Sequence, residues 1–234
     1  MSNKVILITG GSKGIGLAVT KLFLKKNYFV VDASRTKSEI IKNKKYYFFK
    51  TDVSKEKEVK SLFDFINNKF GKLDILVNNA GFGKFGKLID TKTKDFDDLF
   101  NVNVKGLYLC TRYALKLMLQ FNKGDIVNIA SIAGKNAIPN ASLYCASKHA
   151  VLGLSGSLML EVRNHNIRVS AICPGSVNTN FFDESENILT ADRQTILASE
   201  DIAKTVWFIV NSNSRANFNE IEVRPANPVQ AKRL

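Results

Sequence analysis

Tyr144 and Lys148, in the run Tyr144-Cys145-Ala146-Ser147-Lys148, stand four residues apart, a spacing that puts two side chains on one face of a helix. A positive charge held beside a phenol favours the phenolate and lowers the tyrosine pKa from its reference value of about 10. A tyrosine tuned in this way exchanges a proton with a substrate oxygen near neutral pH. Tyr-x-x-x-Lys also occurs by chance on exposed helices, so its meaning depends on what surrounds it. Upstream lies a glycine-rich run, Thr9-Gly10-Gly11-Ser12-Lys13-Gly14-Ile15-Gly16. Glycines let a backbone turn tightly and approach a pyrophosphate, which the N-terminus of a following helix then stabilises. Its spacing, Gly-x-x-x-Gly-x-Gly, differs from the commoner Gly-x-Gly-x-x-Gly.

Such groups must be held by a scaffold, and the chain alternates strand-like and helix-like segments throughout. Strands are expected at Val5–Thr9, Phe29–Ala33, Tyr46–Thr51, Ile75–Asn78, Ile126–Ala130, Arg168–Cys173 and Glu220–Val223. Several are apolar throughout, which suits strands covered on both faces. Helices are expected near residues 15–26, 55–69, 95–121, 143–164 and 200–211. This alternation implies an α/β fold, a doubly wound parallel sheet of about seven strands with helices on both faces. The segment Thr36–Lys45 is short for a crossover helix, so that layer should be thin. With no repeat, low-complexity tract or linker, residues 1–234 read as a single domain.

Composition narrows the function classes. Of the 234 residues, 45% are hydrophobic and 24% charged, the balance of a soluble globular protein with a buried core. No apolar run is long enough to span a bilayer and no signal peptide precedes the first strand, so a cytoplasmic location is expected. Cys110, Cys145 and Cys173 fit a reducing compartment and lack metal-ligand spacing, so no metal site is expected. The net charge is +13, with 21 basic against 11 acidic residues between 1 and 105. The surplus is scattered lysine without an arginine-rich stripe, which argues against nucleic acid. An acidic partner, such as a phosphorylated cofactor or an acidic carrier protein, fits that charge.

Thr-Gly-x-x-x-Gly-Ile-Gly, Asn78-Asn79-Ala80-Gly81, Asn103, Ser131, Tyr144-x-x-x-Lys148 and Pro174-Gly175 follow one another in order. The ordered set resembles the short-chain dehydrogenase/reductase family over essentially the whole chain. The resemblance implies a Rossmann fold, a nicotinamide cofactor and hydride transfer at a carbonyl or alcohol carbon. It makes Tyr144 the proton donor in carbonyl reduction and the acceptor in alcohol oxidation. Ser131 would hydrogen-bond the substrate oxygen, and Lys148 would bind the nicotinamide ribose and depress the tyrosine pKa. Asn103 would anchor a water that relays protons from Lys148 to solvent, whereas Asn101 would be structural. His149 and His165 need no catalytic role. Gly10, Ser12, Lys13, Gly14, Ile15 and Gly16 would form the phosphate loop. Asp52 and Val53 would lie beside the adenine, and Asn79, Ala80 and Gly81 along the ribose and nicotinamide side. Within the segment after Pro174 and Gly175, the Val177 backbone and the Thr179 hydroxyl would hold the carboxamide.

Cofactor choice rests on Val30-Val31-Asp32-Ala33-Ser34-Arg35. An NAD enzyme places a carboxylate at the end of its second strand, on the ribose hydroxyl. The equivalent position here is Ser34, followed by Arg35, and Lys13 stands in the glycine loop. Both cations suit a 2′-phosphate, arginine through its forked donor, so NADP(H) is expected. Asp32 dissents: if the strand ends two residues early, it becomes the ribose acid and NAD(H) returns.

The substrate end is less constrained. Residues 176–199 take the place of the family's substrate loop. Phe181 and Phe182 would either wall the nicotinamide or pack on the sheet. The ending Ile221-Glu222-Val223-Arg224-Pro225 lacks the family's frequent glycine pair and is more like the branch that reduces small 3-oxo acids or pterin-like carbonyls. The expected activity is NADPH-dependent reduction of a small ketone or 3-oxo acid. Alternatives are a 3-oxoacyl-(acyl-carrier-protein) reductase and, from another class, a catalytically inactive NADP(H)-binding sensor. Family members pair the helices near 95–121 and 143–164, so a homodimer or homotetramer is expected.

Overall fold

The computed structural model describes residues 4–179, 181 and 192–229. Its first half runs β1 (Val5–Thr9), α1 (Gly14–Lys25), β2 (Phe29–Ser34), β3 (Tyr46–Lys50), α2 (Glu56–Phe70) and β4 (Ile75–Asn78). The second half continues α3 (Thr93–Phe100), α4 (Leu107–Met118), β5 (Gly124–Ile129), α5 (Ser142–Val162) and β6 (Ile167–Pro174), then β7 (Val177–Asn178), β8 (Leu197–Ala198), α6 (Ser199–Asn211) and β9 (Glu220–Val223). Seven strands form one sheet in the order β3-β2-β1-β4-β5-β6-β9, with every pairing parallel. The parallel sheet is the one expected from the alternating pattern, and its strand order is the Rossmann arrangement that the family resemblance implied.

Successive strand residues point to opposite faces, so apolar strands feed two cores at once. Val5 and Leu7 of β1 pack with Leu62 and Ile66 of α2, Leu109 and Met118 of α4 and Leu158 of α5. Ile6 and Ile8 pack on the other face with Val19 and Phe23 of α1 and Val206 and Ile209 of α6. Each such side chain taken from water contributes about 1.5–3 kcal/mol before entropy is counted. Between β2 and β3 there is no helix, as the shortness of Thr36–Lys45 implied. The edge strand β3 is instead covered by rings: Tyr47 meets Phe29 and Phe70 edge-on, and Phe49 lies against Phe65.

Two local features escape the sequence pattern. The expected single helix over residues 95–121 is broken by a π-helical turn, Asn101–Gly106, between α3 and α4. Wider turns of this kind shift the register of the residues they contain and frequently occur at functional sites. The two-residue strands β7 and β8 pair in parallel outside the main sheet, tying Val177 to Leu197. In the expected substrate loop, Asn180 and residues 182–191, Phe182 among them, lie outside the described residues.

Candidate active site

Strand order reverses between β1 and β4, and a crevice opens at the carboxyl ends of the strands at such a switch point. Here the crevice is a cleft of about 970 Å³. The loop from β1 to α1 forms one wall. Gly10 and Gly14 have φ of +67° and +49°, left-handed values that glycine adopts without strain. A Cβ on Gly16 would lie 2.1 Å from the Gly10 carbonyl oxygen, so only glycine lets α1 start this close to the loop. Asn79 clamps the turn, its Nδ2 donating to the Thr9 and Gly10 carbonyls at 3.0 Å each. The Thr9 hydroxyl oxygen in turn accepts from the Asn79 and Ala80 amides at 3.0 Å each. The backbone amides at the start of α1 therefore border a rigid anion cradle.

Asp32 is fully buried and turned away from the cleft. Its Oδ1 accepts from the Gly11 amide at 2.9 Å and from the Ser34 hydroxyl, and its Oδ2 accepts from the Tyr46 hydroxyl at 2.7 Å. Burial pushes its pKa up, and the three hydrogen bonds oppose that rise. The condition under which Asp32 would become a ribose acid is not met: β2 continues through Ser34, and the carboxylate is consumed in holding the glycine loop onto β2 and β3. At the cleft itself stand Ser34, Arg35 and Lys13, the groups expected for a 2′-phosphate. Thr36 and Ser54 join them there, two donors the sequence reading missed. Asp52 accepts from the Ser54 hydroxyl at 2.7 Å. Burial raises its pKa, but the Ser54 bonds and the Lys55 and Arg35 charges outweigh that, and the carboxyl ends below its ordinary value. Val53 packs against Gly106, where a Cβ would come within 2.7 Å of Val53 Cγ2.

The other end of the cleft holds Ser131, Tyr144 and Lys148 together. Ser131, just beyond β5, accepts from the Ala133 amide at 3.1 Å, which starts a tight turn over Ile132–Gly134. That turn packs onto α5 so closely that a Cβ on Gly134 would lie 2.8 Å from the Lys148 carbonyl oxygen. Tyr144 and Lys148 lie on α5, 8% and 7% exposed. Lys148 Nζ is 5.8 Å from the centre of the Tyr144 ring and donates to the Ile129 carbonyl at 2.9 Å.

The expected lowering of the tyrosine pKa is not met in the chain by itself. Burial pushes the Tyr144 phenol up to about 12, against a lowering hydrogen bond from Ser131. Burial also brings Lys148 down to about 8, because a buried group loses the hydration of its charged form. In this state the phenol is protonated at neutral pH but is a weaker acid than a free tyrosine.

Asn103 stands behind the cleft rather than on its wall. The π-helical turn aims its amide at Phe82, accepting from that backbone amide and donating to that carbonyl at 3.0 Å each. Nδ2 also lies 3.2 Å from the Ser147 hydroxyl, which donates to the Tyr144 carbonyl at 2.8 Å. Ser147 thus links Asn103 to the catalytic helix, a role visible beforehand only as a small residue inside Tyr-x-x-x-Lys. Beneath them a buried polar chain braces β4, β5, α4 and α5. Asn78 Nδ2 donates to Thr111 and Asn128, both at 2.9 Å, and Asn128 donates to Ser155 at 2.8 Å. His149 bonds the Cys145 carbonyl at 2.8 Å and His165 meets Asn122 at 3.0 Å, both away from the cleft.

The third wall follows β6. Pro174, Gly175, Val177 and Thr179 border the cleft, and the Gly175 amide donates to the Val223 carbonyl at 2.8 Å. Of the residues expected to bind the cofactor or to catalyse, Ser12, Ile15, Asn79, Ala80 and Gly81 also face the cleft, and Gly16 and Asn103 act from behind it. Among the described residues no group of His, Cys, Asp or Glu is arranged to hold a metal. No helix of the described chain is long and apolar enough to cross a membrane.

The comparisons with known proteins agree with this geometry. A family model described as short chain dehydrogenase matches residues 4–188. The chain is 35% identical over 219 residues to carbonyl reductase family member 4 of Xenopus laevis, covering 90% of this chain and 92% of that one. It is 32% identical over 239 residues to farnesol dehydrogenase of Aedes aegypti, covering 96% of each. Among solved structures, ElxO with NADP bound superposes with a TM-score of 0.86 at 34% identity, covering 94% of this chain and 97% of that one. With relatives matched over nearly their full length, and with the cradle and proton-transfer groups at opposite ends of one crevice, this protein belongs to the short-chain dehydrogenase/reductase family.

Proposed function

We propose that the protein is an NADPH-dependent carbonyl reductase, with one domain serving both dinucleotide binding and catalysis. The observation that carries this reading is the layout of a single cleft. Lys13, Arg35 and the glycine loop lie at one end, and Ser131, Tyr144 and Lys148 at the other. The NADP in the ElxO structure supports the choice of cofactor. The glycine loop and Asn79 fit a pyrophosphate and ribose, since the turn is shaped by glycines that tolerate no Cβ. NADPH, when bound, supplies the hydride to the carbonyl carbon.

The chain's own residues do the rest. Ser131 holds the substrate oxygen by hydrogen bond, and Tyr144 delivers the phenolic proton to it. Lys148 binds the nicotinamide ribose and, once charged there, steadies the phenolate left behind. A water held at the Asn103 turn would pass protons from solvent to Lys148. Alcohol oxidation would use the same groups in reverse.

The test follows NADPH oxidation by purified protein over a panel of ketones and 3-oxo compounds, with NADH in parallel and Tyr144→Phe as blank. Turnover that is faster with NADPH and disappears in the variant supports the reading. NADPH binding with no Tyr144-dependent turnover of any carbonyl favours a catalytically inactive sensor. A carrier-borne 3-oxoacyl thioester is the second reading, favoured by the net charge of +13. It requires that neutralising acidic residues on the carrier raise KM.

Self-association as a dimer or tetramer through α4 and α5 belongs to the same proposal. Tyr108 of α4 and Leu160 of α5 are exposed, and a Cβ on Gly153 or Gly156 of α5 would meet nothing within 4 Å. Light scattering on the eluted peak reads the oligomeric state. A cytoplasmic location is proposed as well, on the three buried free cysteines.

A further inference from the structure

Building on the reductase reading, we propose that the substrate is a neutral carbonyl compound bearing an aromatic or branched apolar group, and that a free carboxylate near the carbonyl is rejected. The space beside Tyr144 is walled by rings. Phe85 and Tyr144 have ring centres 5.4 Å apart, Tyr144 and Phe181 5.7 Å, and Phe85 and Phe181 6.4 Å. Ile132 and Ile138 line the cleft with them. The backbone is shaped to admit this wall: a Cβ on Gly83 would fall 2.4 Å from Phe85 Cε2 and 3.0 Å from Phe181 Cε1, so both rings occupy the place of a side chain.

Charge is distributed to match. Among the described residues, the cations bordering the cleft are Lys13, Arg35 and Lys148. The first two stand at the glycine-loop end, and Lys148 is bound to the Ile129 carbonyl. Lys84, between Gly83 and Phe85 in sequence, pairs with Asp95 at 3.3 Å. Lys135, near the Ser131 turn, pairs with Glu220 and Glu222 at 3.2 and 3.0 Å. Among the described residues, a carboxylate entering the ring-lined end would meet no cation but Lys148, which the Ile129 carbonyl and, in the proposed reading, the ribose already engage, so its lost hydration goes largely unrepaid, a loss far larger than that of an ester in the same place. A phenyl or branched alkyl group would bury its area against three rings, and the phenyl could also pack edge-on or offset on them. Small free 3-oxo acids are therefore the wrong class, although their uncharged esters and thioesters are not.

The test uses the full-length protein, NADPH and four matched ketones: ethyl benzoylacetate, benzoylacetate, ethyl acetoacetate and acetoacetate. We expect each ester to exceed its acid in kcat/KM by at least tenfold, and phenyl to exceed methyl by at least tenfold, chiefly through KM. Phe85→Ala should cut the phenyl-over-methyl preference by about tenfold, and Phe85→Leu should restore part of it. NADPH fluorescence titration of both variants checks that they are folded. Tyr144-dependent turnover that favours the acids, or a phenyl preference that survives Phe85→Ala, overturns the substrate class and leaves the reductase reading standing. NADPH binding without Tyr144-dependent oxidation by any of the four overturns both.

Discussion

Replacing Lys148 by methionine should make the ligand-free protein more stable at neutral pH while abolishing its activity. Lys148 is 7% exposed, its Nζ has one protein partner among the hydrogen bonds described, and burial brings its pKa from 10.5 to about 8. Holding the charge at pH 7 therefore costs about 3 kcal/mol, at 1.36 kcal/mol per pKa unit. Methionine removes that cost but leaves the Ile129 carbonyl without its donor, a loss of about 1–2 kcal/mol. The variant should be ahead by about 1–2 kcal/mol at pH 7, a few degrees in Tm for a chain of this size.

The pH dependence is the sharper signature. The folded pKa lies below the unfolded one, so between about 8 and 10.5 the unfolded chain binds more protons, and wild-type stability gains with rising pH. By pH 9.5 wild type should have recovered about 2 kcal/mol of the penalty, and the order of stability should level or reverse. Urea unfolding of both proteins at pH 7 and 9.5, followed by the fluorescence of Trp207, reads that difference directly. A stability gap that is the same at both pH values would refute a depressed Lys148 pKa. A variant less stable than wild type at pH 7 would show that the lost hydrogen bond outweighs the buried charge.

Gly16→Ala forces a Cβ to within 2.1 Å of the Gly10 oxygen, so it should cost at least about 2 kcal/mol of stability and remove measurable NADPH binding, checked by thermal unfolding and fluorescence titration. Arg35→Ala should weaken NADPH by about tenfold or more, the worth of a charge-assisted hydrogen bond, while NADH changes little. Equal losses for both nucleotides would remove Arg35 from the 2′-phosphate. Asp32→Asn sets an amide against three donors, from Gly11, Ser34 and Tyr46, and should destabilise by about 1–3 kcal/mol without reversing the NADPH preference. A switch to NADH in that variant would contradict the purely structural role of Asp32.

Much of this was legible in advance because its physics is local. Strands β1, β4 and β9 run over the residues expected, β2 and β3 differ by one residue at one end, and β5 and β6 differ by one or two at both ends. A strand buried on both faces has to be apolar at nearly every position, and such a run stands out in sequence. The loop between β1 and α1 was equally plain, since positive φ and close backbone approach leave glycine little competition. The π-helical turn at Asn101–Gly106 was not legible. Its residues continue a helical pattern, and the contacts that accompany the wider turn, Asn103 with Phe82 and Ser147, are made to distant segments.

Asp32 and Tyr144 mark the division most clearly. By itself the sequence determined which residue types stand where: a phenol and an amine four apart, an acid two residues before Ser34, glycines at the first turn. Which way Asp32 faces depended on Gly11 and Tyr46, donors from other strands and loops that converge on it only in the folded chain. The pKa of Tyr144 was likewise settled by how completely α5 and its neighbours exclude water, which outweighs the helical spacing of Lys148. Spacing along a chain sets which groups can meet; desolvation and long-range hydrogen bonds, which decide charge and orientation, exist only once distant segments pack.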